Sequence, residues 1–229
     1  METVSAPNVW FCLLLVWGWL AALLVLAEWL KRTTNLEGEV LRKVVHIGAG
    51  NVIIPAWWLH IPAWISISAA VIASGVAILS YQVPILPSVN SIGRHSWGTF
   101  FYAVSIGLLV AIFWPLHQPY YAAIGILVMT WGDGLAALVG QRFGHHAYCL
   151  WDMKKSWEGS LAMAIVSIVI SGCILSIVQD SLGLSWVIAL AIALVATGLE
   201  AFSKFGIDNL TVPLGSALTG FWLSQWWGI

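Results

Sequence analysis

The sequence predicts an all-α, polytopic integral membrane protein with about eight transmembrane helices and both termini on the non-cytoplasmic side. Three observations carry this expectation. Of 229 residues, 8% are charged and 60% hydrophobic, against about 25% charged in a soluble domain. The charge-free windows 3–27, 44–93, 95–132, 159–179, 181–199 and 209–229 match the roughly 20 apolar residues that one span needs. All nine Lys and Arg residues fall in alternate loops once eight spans are drawn. Disorder is excluded, because disordered chains are charge-rich and apolar-poor.

The elements follow in order. The first span covers about 9–29; no basic region precedes it and its apolar run exceeds a signal peptide's, so it reads as a retained helix. Window 44–93 holds two spans and breaks at His60-Ile61-Pro62, since a residue before proline disfavours helix. This gives spans 44–60 and 62–82. Window 95–132 breaks at His117-Gln118-Pro119, giving 97–116 and 119–140, the latter running on past Asp133. Spans 159–179, 183–201 and 210–227 complete a single transmembrane domain, 1–229.

Lys31, Arg32, Arg42 and Lys43 then lie in the first loop, Arg94 in the third, Arg142, Lys154 and Lys155 in the fifth, and Lys204 in the seventh. The positive-inside rule makes that face cytoplasmic. Trp10, Trp57, Trp58, Trp64, Trp114, Tyr120, Tyr121, Trp186, Trp226 and Trp227 fall near outer ends, and Trp29, Trp97 and Trp157 near inner ends, as an interfacial belt. Cys12, Cys149 and Cys173 suggest neither a disulfide framework nor a zinc site.

Topology explains the basic residues but not the acids, which contribute little to orientation. Eight of the ten acids share the basic side, Glu2 and Asp180 being the exceptions. Asp133 is the sharpest, in Gly132-Asp133-Gly134 inside an apolar span. A carboxylate there costs about 2.5–3.5 kcal/mol on insertion scales and is by default a functional candidate. Its flanking glycines permit an unwound or closely approached backbone.

Arg42, Lys43 and His46 share one helical face, since spacings of three and four bring side chains together. Three cationic groups there repel one another, and an anion such as phosphate would relieve them. In Lys154-Lys155-Ser156-Trp157-Glu158, the lysines can hold phosphate oxygens, and Ser156 is a candidate N-cap, compatible with anion binding at a helix N-terminus. Glu158 can hold magnesium, which binds one or two carboxylates plus phosphates. Glu200, Lys204, Asp208 and Asn209 gather at the seventh loop and look like metal and phosphate ligation. His60 and His117 sit in outer turns and read as interfacial. The Walker, HExxH and GxSxG motifs are absent, which removes the commonest soluble nucleotide-binding and hydrolytic sites.

Four segments in order resemble the polyprenol kinase family, which includes dolichol kinase and phytol kinase: Arg-Lys-Val-Val-His at 42–46, Gly-Asp-Gly-Leu-Ala-Ala-Leu-Val-Gly-Gln-Arg-Phe-Gly at 132–144, Lys-Lys-Ser-Trp-Glu-Gly-Ser at 154–160, and Glu-Ala-Phe-Ser-Lys-Phe-Gly-Ile-Asp-Asn-Leu-Thr-Val-Pro at 200–213. Gly-Asp-Gly-Leu-Ala, Asp-Asn-Leu-Thr-Val-Pro and Arg94-His95-Ser96-Trp97-Gly98-Thr99 are most similar to the phytol kinase branch of cyanobacteria and plastids. The resemblance implies transfer of phosphate from CTP or another nucleoside triphosphate, with Mg2+, to a membrane-dissolved isoprenoid alcohol. Phytyl phosphate would then feed phytyl diphosphate and tocopherol synthesis, in a plasma or thylakoid membrane, from an active site facing the cytoplasm.

With that chemistry, Asp133, Lys155 and Glu158 are the catalytic candidates. Arg42, Lys43, His46, Lys154, Lys155, Ser156 and Lys204 are candidates for the nucleotide, and Asp133, Glu158, Glu200, Asp208 and Asn209 for the metal. Asp133 is favoured as the base, because its depth suits an alcohol whose tail stays in lipid. Phytol, geranylgeraniol and farnesol all remain open as substrates. Two rivals compete. A membrane cytidylyltransferase making a CDP-lipid has a similar Lys-Ser-Trp-Glu-Gly segment, but its Asp-Arg-Asp signature is absent here. A transporter with a helix broken at Asp133 would line both halves of the membrane with polar groups.

Overall fold

The computed structural model describes residues 8–34, 38–82, 97–150 and 153–229. The Arg94-His95-Ser96 segment and the Arg42 side chain lie outside them. Among the described residues the helices are α1 (Val9–Thr33), α2 (Gly38–Gly50), α3 (Ile53–Trp58), α4 (Ala63–Gln82), α5 (Gly98–Phe113), α6 (Pro119–Phe143), α7 (Trp157–Val178), α8 (Leu182–Ala201) and α9 (Asp208–Trp227). A short hairpin, β1 (Ala147–Leu150) and β2 (Met153–Ser156), joins α6 to α7. Helices α1, α4, α6, α7 and α8 are long and apolar enough to cross a membrane, and α5 is a shorter apolar helix.

The expected breaks at His60 and His117 are confirmed, with a shared cause. Both residues take a left-handed backbone, φ 53° and 55°. At the first, His60 N–H donates to Trp57 O and Ile61 N–H to Ala56 O; at the second, His117 N–H donates to Trp114 O and Gln118 N–H to Phe113 O. Each is a Schellman turn, with histidine in the position glycine usually holds. Proline follows two residues later, as the first residue of α6 at Pro119 and immediately ahead of α4 at Pro62.

Three expectations need correction. Span 44–60 is two helices, α2 and α3, parted at Asn51-Val52. The chain is not purely helical, because the fifth loop folds into the hairpin. Tyr121 is no interfacial residue; it is fully buried, with its ring centroid 5.6 Å from those of Phe113 and Phe221. By contrast Trp10, Trp29, Trp58, Trp64, Trp157 and Trp226 are exposed.

Helix α6 is the centre of the bundle. Every residue from Tyr121 to Thr130 is buried, and α6 packs on α7 and α9 most extensively, and on α2, α3 and α5 as well. Close approach is achieved by omitting side chains. A Cβ on Gly125 would strike the Pro213 carbonyl of α9, and one on Gly132 would strike Met163 of α7. Such small-residue contacts drive helix association in lipid, where no hydrophobic force draws helices together.

Candidate active site

Helix α6 runs unbroken through Gly132-Asp133-Gly134 to Phe143, so Asp133 lies about 15 Å short of its end at 1.5 Å per residue. The glycines serve close approach, not unwinding: a Cβ on Gly134 would sit 2.8 Å from Ile47 Cδ1 of α2. That approach brings the cationic face of α2 onto the carboxylate. Lys43 Nζ donates to Asp133 Oδ2, and His46 Nε2 stands 3.9 Å from the same oxygen. The anion that relieves this face is therefore Asp133. The Lys43 side chain is only 6% exposed and that of Asp133 15%.

A second buried pair lies beside it. Lys155 of β2 donates to Glu200 Oε1, and also to the Glu200 carbonyl at 2.5 Å, neutralising the acid and capping the last turn of α8. Glu200 Oε2 is buried with no hydrogen-bond partner among the described residues. Asp208 opens α9, ahead of its apolar stretch. Its Oδ1 accepts from Asn209 N–H at 3.0 Å. Burial, then the nearby Asp133 charge, hold its carboxyl above the usual carboxylate range, while a Ser203 hydrogen bond and the Lys155 and Lys43 charges pull it back.

The two ion pairs border a cavity of about 450 Å3, lined by Lys43, Asp133, Lys154, Lys155, Ser156 and Glu200 with the small residues Ala136, Gly140 and Gly144. The volume falls within the range of small-molecule sites. The hairpin makes this cavity possible, pairing Tyr148 with Lys155 and Cys149 with Lys154 and so returning both lysines over the end of α6. Ser156 is the N-cap of α7, its hydroxyl accepting from Gly159 N–H at 3.2 Å. That N-terminus opens onto the cavity through Ser156, Gly159 and Ser160.

The structure thus brings together Lys43, His46, Asp133, Lys154, Lys155, Ser156, Glu200, Asp208 and Asn209. It does not bring in Glu158 or Lys204. The Glu158 carboxylate accepts from the His145 and His146 N–H groups, both at 3.2 Å, and meets His146 Nδ1 at 2.8 Å. It ties the hairpin to α7. Lys204 Nζ lies 5.4 Å over the Phe205 ring. Among the described residues no three His, Cys, Asp or Glu side chains form a metal-holding group. Magnesium does not require one, since phosphates and water supply most of its ligands. Asp133 and Asp208, with the unpartnered Glu200 oxygen nearby, fit that need.

Sequence reasoning missed Tyr102 and Thr130, whose hydroxyls meet at 2.6 Å beside the His46 ring. Both are isolated polar residues in apolar spans, which was the available signal. It also missed the small residues of the cavity wall, Ala136 and Gly140 on α6 and Gly144 just past its end.

A phytol kinase from Synechocystis sp. is 52% identical over 222 residues, spanning 97% of this chain and 95% of its own. Phytol kinase 1, chloroplastic, of Arabidopsis thaliana is 27% identical over 228 residues, covering 90% of this chain and 73% of its own. Farnesol kinase, chloroplastic, of the same plant is 31% identical over 211 residues, covering 82% of this chain and 66% of its own. No family model matches the chain, and no solved structure does. Identity at that level over nearly the full length of the Synechocystis protein leaves one conclusion: the chain belongs to the phytol kinase family.

Proposed function

We propose that the chain is a phytol kinase that moves the terminal phosphoryl group of a nucleoside triphosphate, CTP by family resemblance, onto the hydroxyl of phytol. The observation that carries this reading is Asp133, a carboxylate within an apolar helix on the wall of a cavity whose other walls carry Lys43, Lys154 and Lys155. Phosphoryl transfer asks little covalent work of a protein; it asks for positioning and charge stabilisation. Lys154, Lys155 and the α7 N-terminus hold the phosphates. Asp133 accepts the alcohol proton as the new O–P bond forms and the bond to the departing nucleoside diphosphate breaks. Asp133 and Asp208 would hold magnesium, which supplies charge neutralisation on the phosphates. Glu158 acts at one remove, by fixing the hairpin.

The site faces the cytoplasm in this reading, with eight spans and both termini on the other side. The one-sided Lys and Arg distribution supports it. Cysteines placed at positions 35, 90, 150 and 205 should all label from the cytoplasmic side; one of them labelling from the opposite side refutes the topology.

The activity is tested by product analysis. Purified protein in detergent is incubated with phytol, magnesium and γ-labelled CTP. Label in the lipid product supports the kinase; release of pyrophosphate with CMP on the lipid would make the chain a cytidylyltransferase instead.

A further inference from the structure

The Lys43–Asp133 ion pair is a wall shared by two cavities. On the side away from Lys154, Lys155 and Ser156 lies a second one of about 60 Å3, lined by Val45, His46, Ala49, Thr99, Tyr102 and Asn209 besides the pair itself. Its chemistry differs from that of the larger cavity: aliphatic side chains meet an imidazole, two hydroxyls and an amide, and the ion pair brings its only full charges. Its rear wall is rigid. The Tyr102 hydroxyl meets Thr130 Oγ1 at 2.6 Å and donates to the His46 carbonyl at 3.3 Å. The His46 ring packs on the Tyr102 ring with centroids 4.1 Å apart. This stacking holds the imidazole toward Asp133. On the flank, Thr99 in the first turn of α5 is exposed.

We propose that this small cavity seats the hydroxyl-bearing end of the isoprenoid alcohol, and that His46 is a positioning residue of the alcohol side, not a nucleotide ligand. The proposal rests on the kinase reading above and assigns its second substrate a place. A volume of this size admits a few heavy atoms, enough for an allylic CH2–OH but not for the chain behind it. The tail leaves past Thr99 into lipid. Asp133 then borders both substrates: it takes the hydroxyl proton as the oxygen passes beside the carboxylate to attack the terminal phosphorus, and the nucleoside diphosphate departs into the larger cavity.

Two measurements test this. In the first, Thr99→Leu and Ala49→Leu narrow the small cavity. Each should raise KM for phytol at least about fivefold, since added methylenes are poorly accommodated in a packed site. Each should leave the nucleotide KM within about twofold, which also shows that the variant folds. His46→Ala should lower kcat without raising the nucleotide KM, and His46→Gln should restore part of it. A raised nucleotide KM with phytol KM unchanged overturns the assignment. In the second, a photoreactive allylic alcohol is bound to the full chain in detergent and competed with phytol. Phytol-sensitive labelling of α2 and α5 that is lost in Thr99→Leu supports the seat. Labelling confined to residues 153–160 overturns it. Labelling at α2 and α5 by a protein that transfers no phosphate would refute the kinase reading while leaving the alcohol seat standing.

Discussion

The two ends of the bundle solve opposite problems with the same helices. At the end carrying His60 and His117, the chain turns on its own backbone: paired N–H to carbonyl bonds close each helix, and no Lys or Arg takes part. At the other end, Lys43, Asp133, Lys155 and Glu200 are turned inward and form two ion pairs with little exposure. An inward-facing charge is costly, and closing a loop does not require it. The difference teaches that polar groups at the first end serve the fold, whereas those at the second exceed what the fold asks, as the proposed substrate site requires.

The largest effect should come from Asp133→Asn, which preserves shape and removes the charge. Turnover should fall at least about 100-fold, the low end for losing a proton acceptor, and the thermal midpoint in detergent should fall too, because Lys43 is left buried without its countercharge. A folded variant that keeps half its activity would place Asp133 with the structural end of the comparison.

Next comes Lys155→Ala, which leaves Glu200 buried without its cation. Breaking a buried pair costs about 3–5 kcal/mol, so unfolding should shift strongly. Adding Glu200→Gln should recover at least about half of the lost stability but little of the activity. Recovery of both would reduce this pair to a packing device.

Two small effects calibrate the scale. His117→Gly at the quiet end should raise stability by up to about 1 kcal/mol, because glycine takes a left-handed backbone without steric cost, and turnover should not change. Arg32→Ala breaks a pair with Glu28 whose side chains are 76% and 44% exposed. Exposed pairs are worth about 0–1 kcal/mol, so its thermal midpoint should barely move.

Much of this could be read from the chain beforehand, for reasons that vary by residue. The helices were legible because lipid demands long apolar runs, and the His-x-Pro turns because proline punctuates a helix locally. Asp133 stood out because a charge in such a run is expensive. The hairpin was not legible: its four-residue strands carry too little pattern, and its place depends on Glu158 gripping His145 and His146. The break at Asn51-Val52 carried a signal that went unread: Gly50 abuts it, and Pro55 has no N–H to give the Asn51 carbonyl, which takes Ile54 N–H instead. From α6, Trp131 Nε1 donates to Asn51 Oδ1 at 3.0 Å. The division into two cavities depends on which side of Asp133 each residue falls, and spacing along a helix does not report that.

The order of the buried pairs along the chain bears on how such a protein is made. Lys43 precedes Asp133 by 90 residues and Lys155 precedes Glu200 by 45. In each pair the ribosome delivers the cation first. A lysine can wait at the membrane surface with its stem in lipid and its ammonium in water, whereas a short aspartate in mid-helix has no such refuge. Asp133 can therefore enter the bilayer to meet a countercharge already in place, and Glu200, in the last turn of α8, meets Lys155 in the same order. Exchanging the partners, with Lys43→Asp joined to Asp133→Lys, would keep the pair and reverse its schedule. The yield of inserted protein would then report the combined cost of the reversed order and of a lysine in mid-helix.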